Sequence, residues 1–175
     1  MNWTMLKKKF IRETCTAETD KEKRIKICFT ASAGGHFEQI LQLKPLMQKF
    51  DSFILTEKTP YETYNCDAKT YRLKKTAPSD FLYPFWIAVI AIRSVLIFIK
   101  EKPDLVISTG VMATIPICLT AKIFKKKVIY IESFAKVTSP TRTGNFLYRF
   151  ADKFYVQWEQ MLEVYPEATY LGGIY

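Results

Sequence analysis

The sequence predicts an α/β domain, a Rossmann-like parallel sheet with helices on both faces. Three observations point there. Short apolar runs read as strands buried on both sides: Ile25-Lys26-Ile27-Cys28-Phe29-Thr30, Asp104-Leu105-Val106-Ile107-Ser108 and Val128-Ile129-Tyr130-Ile131-Glu132. Helical patterns separate these strands, which is the order that builds parallel sheets. Glycine-bearing turns follow the first two of these runs, at Ser32-Ala33-Gly34-Gly35 and Ser108-Thr109-Gly110. At 175 residues the chain is long enough for one domain with a sizeable core and too short for two ordinary ones. With 49% apolar and 25% charged residues, it is not a disordered, collagen-like or coiled-coil chain.

Residues 1–23 read as a polar tail, with an apolar-basic patch from Trp3 to Ile11 that is either a short membrane-touching helix or loose chain. The domain proper is expected over 24–175. After the first strand and its turn, the spacing predicts a helix from Phe37 to Phe50, with Ile40, Leu41, Leu43, Leu46 and Met47 on its apolar side. Ser52 to Thr56 is the second strand and Thr70 to Leu73 a weak third. The strong fourth strand precedes an apolar helix that runs to Phe124 and is interrupted or kinked near Pro116. Past the fifth strand, Lys136 to Gly144 is a loop rich in turn formers. Helices are expected at Phe146 to Ala151 and Trp158 to Val164, and short strands at Phe154 to Val156 and Thr169 to Leu171.

Phe81 to Ile99 stands apart, with 19 residues and a single charge, Arg93. A helix of that length is about 28 Å long, near the hydrocarbon thickness of a bilayer. A crossing there would put strands of one sheet on opposite sides of the membrane, so the segment must lie in the interface, dip in and return, or pack as an unusually apolar core helix. Crossover helices normally keep a polar outer face, and this one scarcely has any. Phe85, Trp86, Ile90, Leu96 and Phe98 are therefore expected to contact membrane, with Tyr83 and the flanking Lys74, Lys75, Lys100 and Lys102 as anchors. The 26 Lys plus Arg against 17 Asp plus Glu give a net charge of +9, which suggests an anionic partner. Nucleic acid fits poorly, because the cations cluster in the tail and beside the apolar segment without interleaved aromatics. The four cysteines, Cys15, Cys28, Cys66 and Cys118, form no CxxC pair and read as free thiols in a reducing compartment. The amino terminus lacks the apolar core of a signal peptide, so a cytosolic location is expected.

The candidate chemistry lies at strand ends, where open α/β sheets bind ligands. Gly34 and Gly35 let backbone approach a phosphate at a helix start, with Ser32 beside them. His36 is the single histidine; it suits a general base acting near neutral pH, and it equally suits a capping or core role. Thr109 and Gly110 offer a second phosphate contact. Glu132 is placed to hold sugar hydroxyls, and the loop cations Lys136 and Arg142 to meet a diphosphate. No metal and no cofactor is implied.

Together these strand-end motifs resemble the amino-terminal, acceptor-binding half of GT-B glycosyltransferases that act on lipid-diphosphate sugars. Ser32-Ala33-Gly34-Gly35-His36 looks like the glycine-glycine-histidine loop of the lipid II-forming enzyme, Asp104 to Gly110 like its second glycine loop, and Ile129 to Ser133 like its glutamate-containing strand end. Over Arg24 to Tyr175, including the terminal Leu171-Gly172-Gly173-Ile174-Tyr175, the sequence is similar to split enzymes: bacterial capsule and exopolysaccharide subunits of the PssD, CpsF and EpsE type, and the membrane-anchor subunit of eukaryotic lipid-linked chitobiose synthase. Two departures stand out. The second loop has one glycine where the lipid II-forming enzyme has several, and the amino-terminal membrane span of the eukaryotic subunit has no counterpart in the polar tail.

The resemblance implies one subunit of an inverting hexosyltransferase at the cytoplasmic face of the cell membrane. It would bind a polyprenyl-diphosphate-linked sugar and recruit a separate subunit that binds the nucleotide-sugar donor. His36 would act as base, and Ser32, Gly34, Gly35, Thr109, Gly110, Glu132 and Arg142 would bind acceptor and diphosphate. Two other classes compete. A non-catalytic membrane scaffold would enhance a complete partner enzyme, and a dinucleotide-binding module would need a GxGxxG context that is absent here.

Overall fold

The computed structural model describes residues 25–58, 68–76 and 79–175. Seven strands form one sheet: β1 (Lys26–Ala31), β2 (Asp51–Glu57), β3 (Lys69–Leu73), β4 (Leu105–Ser108), β5 (Lys127–Ile131), β6 (Lys153–Val156) and β7 (Thr169–Tyr170). Their order is β3-β2-β1-β4-β5-β6-β7, and every pair is parallel. Five helices join them: α1 (Gly35–Leu41), α2 (Lys44–Lys49), α3 (Tyr83–Glu101), α4 (Ile115–Ile123) and α5 (Arg142–Leu147), with 3-10 turns at Met112–Thr114 and Glu159–Leu162. The expected α/β architecture is the observed one.

Alternation along each strand divides the core in two. Ile27, Phe29, Ile54, Ile107 and Ile129 face α1 and α2, where Phe37, Ile40, Leu46 and Met47 cover them. Cys28, Phe53, Leu55, Val106, Val128 and Tyr130 face the other way, under Ile90 and Phe98 of α3, Ile117 of α4 and Leu147 of α5. Strand order reverses between β1 and β4, so the crevice beyond their carboxyl ends is the topological switch point of the sheet.

Several boundaries differ from expectation for local reasons. The helix expected over Phe37 to Phe50 is two helices, because Pro45 has no N–H and its ring would clash with the carbonyl four residues back; it serves instead in the first turn of α2. The interruption expected near Pro116 is present: a 3-10 turn at Met112–Thr114 gives way to α4, and Pro116 stands in its first turn. The helix expected from Phe146 starts at Arg142, since the Thr141 side chain accepts from the Gly144 N–H and caps it. Trp158 to Val164 holds only a 3-10 turn. The expected tail patch, Cys15 and Cys66 lie outside the described residues, while Cys28 and Cys118 are buried thiols.

α3 lies along the sheet. Ile90, Ser94, Phe98 and Glu101 are buried against it at helical spacing, in a helix that by length and composition is apolar enough to cross a membrane. It follows that Ile90 and Phe98, 1% and 3% exposed, are core residues and not membrane contacts. Phe85 and Leu96 are exposed, and Lys74 Nζ stands 3.1 Å from the ring centre of half-buried Trp86.

Glu101 fastens the end of α3 to the amino-terminal ends of the strands. It accepts from Lys26 Nζ at 2.6 Å, from Lys69 Nζ at 2.6 Å and from the Tyr71 hydroxyl. Burial alone would raise its pKa, but these three donors overcome that and hold it down at about 2. A depressed carboxylate stabilises the fold above its unfolded pKa of about 4.3 and loses that contribution as pH falls toward 2. Glu101→Gln is expected to cost about 2 kcal/mol at pH 7 and to flatten the acid limb of stability between those pH values, as read by urea denaturation.

Candidate functional site

Two loops meet at the switch point. The first leaves β1, turns at Gly34 with φ +84°, and enters α1, where the Phe37 and Glu38 N–H groups both donate to the Gly34 carbonyl. A β-carbon at Gly34 would meet nothing within 4 Å, so the glycine is required by its backbone conformation and not by crowding. The second loop leaves β4 through Thr109, Gly110 at φ +118° and Val111 at φ +73°, ψ 154°. Left-handed backbone at a β-branched residue costs on the order of 1–3 kcal/mol and is held by its surroundings. Here the Thr114 N–H and hydroxyl both donate to the Val111 carbonyl, at 3.0 and 2.7 Å.

His36 joins the loops. Its Nδ1 lies 2.7 Å from the Thr109 carbonyl oxygen, and the Thr109 hydroxyl donates back to the His36 carbonyl at 2.9 Å. A carbonyl only accepts, so Nδ1 carries the proton; in the neutral ring Nε2 then holds the free lone pair. Gly110 lies between the imidazole and Tyr130. A β-carbon there would come within 3.1 Å of the Tyr130 hydroxyl and 3.2 Å of His36 Cε1, so any side chain would push the histidine ring aside. Thr109→Val keeps the carbonyl contact and deletes only the hydroxyl latch. It is expected to loosen the loops and leave the Nδ1 contact in place, seen as an NMR shift at the His36 backbone with the ring tautomer unchanged.

Beside them is a buried carboxylate. Glu132 is 0% exposed and accepts from the Ser133 N–H at 2.8 Å, the Thr141 hydroxyl at 2.9 Å, the Thr141 N–H at 3.3 Å and the Tyr165 hydroxyl at 3.0 Å. Neutral donors thus replace the water it has lost. Thr141 also meets the Tyr130 hydroxyl at 3.2 Å, which links this network to the Gly110 loop. Burial and the neighbouring Glu132 carboxylate push the Tyr130 and Tyr165 phenols above their ordinary range, so both stay neutral donors. Gln157 completes the rim, donating to the Gln39 side chain and the Glu132 carbonyl while accepting from the Ile174 N–H.

The structure therefore brings His36, Thr109 and Gly110 together and places Gly34 and Gly35 open to solvent beside them. Ser32 is buried, its hydroxyl turned to the Ala33 carbonyl at 3.3 Å. Two expectations change. Glu132 cannot hold sugar hydroxyls, because it is enclosed and its oxygens are occupied by protein donors. Thr109 is wholly buried, so its side chain positions the loops and does not touch a ligand. Arg142 is exposed at the start of α5, one residue from Thr141. Sequence reasoning missed Tyr130, Thr141, Gly144 and Tyr165; alternation in Val128 to Glu132 puts Tyr130 and Glu132 on one face, and threonine just before a helix marks a cap. Among the described residues no group of three or more His, Cys, Asp or Glu could hold a metal.

Comparison with known proteins places this geometry. The family model described as "Oligosaccharide biosynthesis protein Alg14 like" matches residues 48–174, a stretch that begins after the His36 loop. The human protein named "UDP-N-acetylglucosamine transferase subunit ALG14" is 27% identical over 86% of this chain and 83% of its own length. Its Schizosaccharomyces pombe namesake is 39% identical over 75 residues, 40% of this chain and 36% of that protein. Among solved structures, Acinetobacter baumannii MurG superposes with a TM-score of 0.68 at 17% identity, covering 85% of this chain and 45% of MurG. UDP-N-acetylglucosamine 2-epimerase from Rickettsia bellii gives 0.64 at 14% identity, covering 86% of this chain and 45% of the epimerase. The chain thus spans less than half the length of these two solved proteins, and at such identities the likeness establishes the fold: the amino-terminal half of a GT-B architecture. By the match over 48–174, the chain belongs to the Alg14-like family of oligosaccharide biosynthesis proteins.

Proposed function

We propose that this chain is the acceptor-side subunit of a two-chain inverting hexosyltransferase. It holds a polyprenyl-diphosphate-linked sugar at the cytoplasmic face of the membrane, and a separate glycosyltransferase subunit supplies the UDP-sugar. The relatives' name, a UDP-N-acetylglucosamine transferase subunit, supports a transferase role and a partner chain. The fold, the amino-terminal half of a GT-B architecture, supports the transferase role too. Polysaccharide biosynthesis of the bacterial capsule and exopolysaccharide type is the pathway class we favour.

The observation that carries the reading is His36 at the switch point, with Nδ1 held by a carbonyl and Nε2 left as base. Nε2 takes the acceptor hydroxyl proton as that oxygen attacks the anomeric carbon. The bond to the donor diphosphate breaks on the opposite face, and its electrons leave with the nucleotide. Gly34 and Gly35, open beside His36, let the acceptor's diphosphate approach the backbone above buried Ser32 and Gly110, and exposed Arg142 at the start of α5 supplies a cation. The contribution is positioning as much as proton transfer. The reciprocal His36–Thr109 latch also supports a second reading, in which the histidine is structural and the chain is a scaffold that enhances a complete partner enzyme. Isothermal titration of a short-chain, water-soluble prenyl-diphosphate sugar tests the acceptor assignment. Binding by the chain alone, with none of UDP-N-acetylglucosamine, is expected; the reverse preference would contradict it.

A further inference from the structure

We infer that the whole outer surface of the α3–α4–α5 layer, and not α3 alone, is a face that docks flat on an anionic lipid bilayer. This rests on the membrane-side reading above and extends it to an orientation. Thirteen large apolar side chains are exposed among the described residues, and eleven belong to this layer and its flanking turns. They include Phe85 and Leu96 of α3, Ile123 at the end of α4, Phe124 just beyond it, and Phe146 of α5, exposed by 59, 60, 77, 51 and 41%. Buried Phe98 packs on Phe124 with ring centres 5.3 Å apart, which sets α4 directly beside α3. The layer on the opposite side of the sheet, α1 and α2, has none of the thirteen. Its outward residues are Lys44, Pro45, Gln48 and Lys49.

Charge selects the occupant. From Tyr83 to Phe150 there are ten Lys or Arg and three acids. The acids are withdrawn: Glu101 and Glu132 are buried, and Asp104 is paired with Lys126. Arg93, Lys100, Lys125 and Arg149 are exposed. Between Tyr83 and Phe150 the exposed charges are thus cationic, with exposed acids only in the flanking segments, at Asp80, Glu159, Glu163 and Glu167, and such a face matches anionic headgroups over acyl chains and repels a positively charged copy of itself. α3 runs antiparallel to the strands, since Glu101 reaches the first residue of β1. A bilayer against this face therefore runs parallel to the sheet. The His36 crevice, at the carboxyl ends of β1 and β4, then opens sideways, along the lipid surface.

The full chain is floated with phosphatidylcholine vesicles, with and without 30% phosphatidylglycerol, at two salt concentrations. Stronger, salt-sensitive binding to the anionic vesicles is expected. Ile123→Glu and Phe146→Glu should each lower partitioning tenfold or more, while Lys44→Glu on the far side leaves it unchanged. Ile123→Ser and Arg149→Glu repeat the test with milder changes, and thermal melting in solution certifies the fold of every variant. Wild-type flotation by the α4 and α5 variants would overturn the flat-docking surface, as would a stable dimer that ignores vesicles. Titration with the short-chain acceptor in solution should be the same for all these variants, so loss of the lipid face and loss of the acceptor site are separately read.

Discussion

His36→Ala is expected to reduce sugar transfer about 10²- to 10⁴-fold when assayed with the partner subunit, the range typical for loss of a positioned general base. Acceptor affinity should change far less, because the group removed acts on the hydroxyl proton and not on the lipid diphosphate. The conservative variant separates base from latch. His36→Gln supplies an amide that can still donate to the Thr109 carbonyl. If it restored turnover, the histidine would be a structural link between the β1 and β4 loops and the scaffold reading would stand. Unchanged turnover in His36→Ala would dispose of the base assignment outright.

The second large effect is on folding. A β-carbon at Gly144 would sit 2.1 Å from Glu132 Oε2 and 2.8 Å from Thr141 Oγ1. Neither can yield cheaply, since the carboxylate is fixed by four donors and the threonine both caps α5 and contacts Tyr130. Gly144→Ala improves intrinsic helix propensity by up to about 1 kcal/mol, so on propensity alone it would stabilise. The clash should win. Displacing the buried carboxylate from its donors and overpacking the site are expected to cost about 3 kcal/mol or more, lowering the melting temperature by roughly 6–12 °C for a domain of this size. Tyr165→Phe, which removes one donor and no volume, should cost about 1–2 kcal/mol. A Gly144→Ala protein as stable as wild type would mean that α5 can slide off Glu132.

Much of this was legible in the chain. Continuous apolar strands, alternating with helices, announced a parallel sheet because only strands covered on both faces tolerate runs such as Leu105-Val106-Ile107. The His36 loop could be placed because glycine turns at strand ends are where such sheets open. What escaped was long-range. Nothing local in Ile129 to Ser133 says that Glu132 turns inward; its donors come from Thr141 and Tyr165, 9 and 33 residues on. The same blindness misassigned Thr109, whose partner His36 is 73 residues away. Hydropathy marked Phe81 to Ile99 as membrane-seeking but could not divide it into the buried line of Ile90 and Phe98 and the exposed line of Phe85 and Leu96. That division is a property of the sheet beneath it.

The most direct measurement is reconstitution from two purified chains: this one and the donor-binding glycosyltransferase subunit, mixed with UDP-N-acetylglucosamine and a polyprenyl-diphosphate sugar in vesicles. Each chain alone should leave the acceptor unextended, and the pair should extend it by one sugar with inverted anomeric configuration. Full extension by either chain alone would contradict a catalytic cleft shared between two polypeptides.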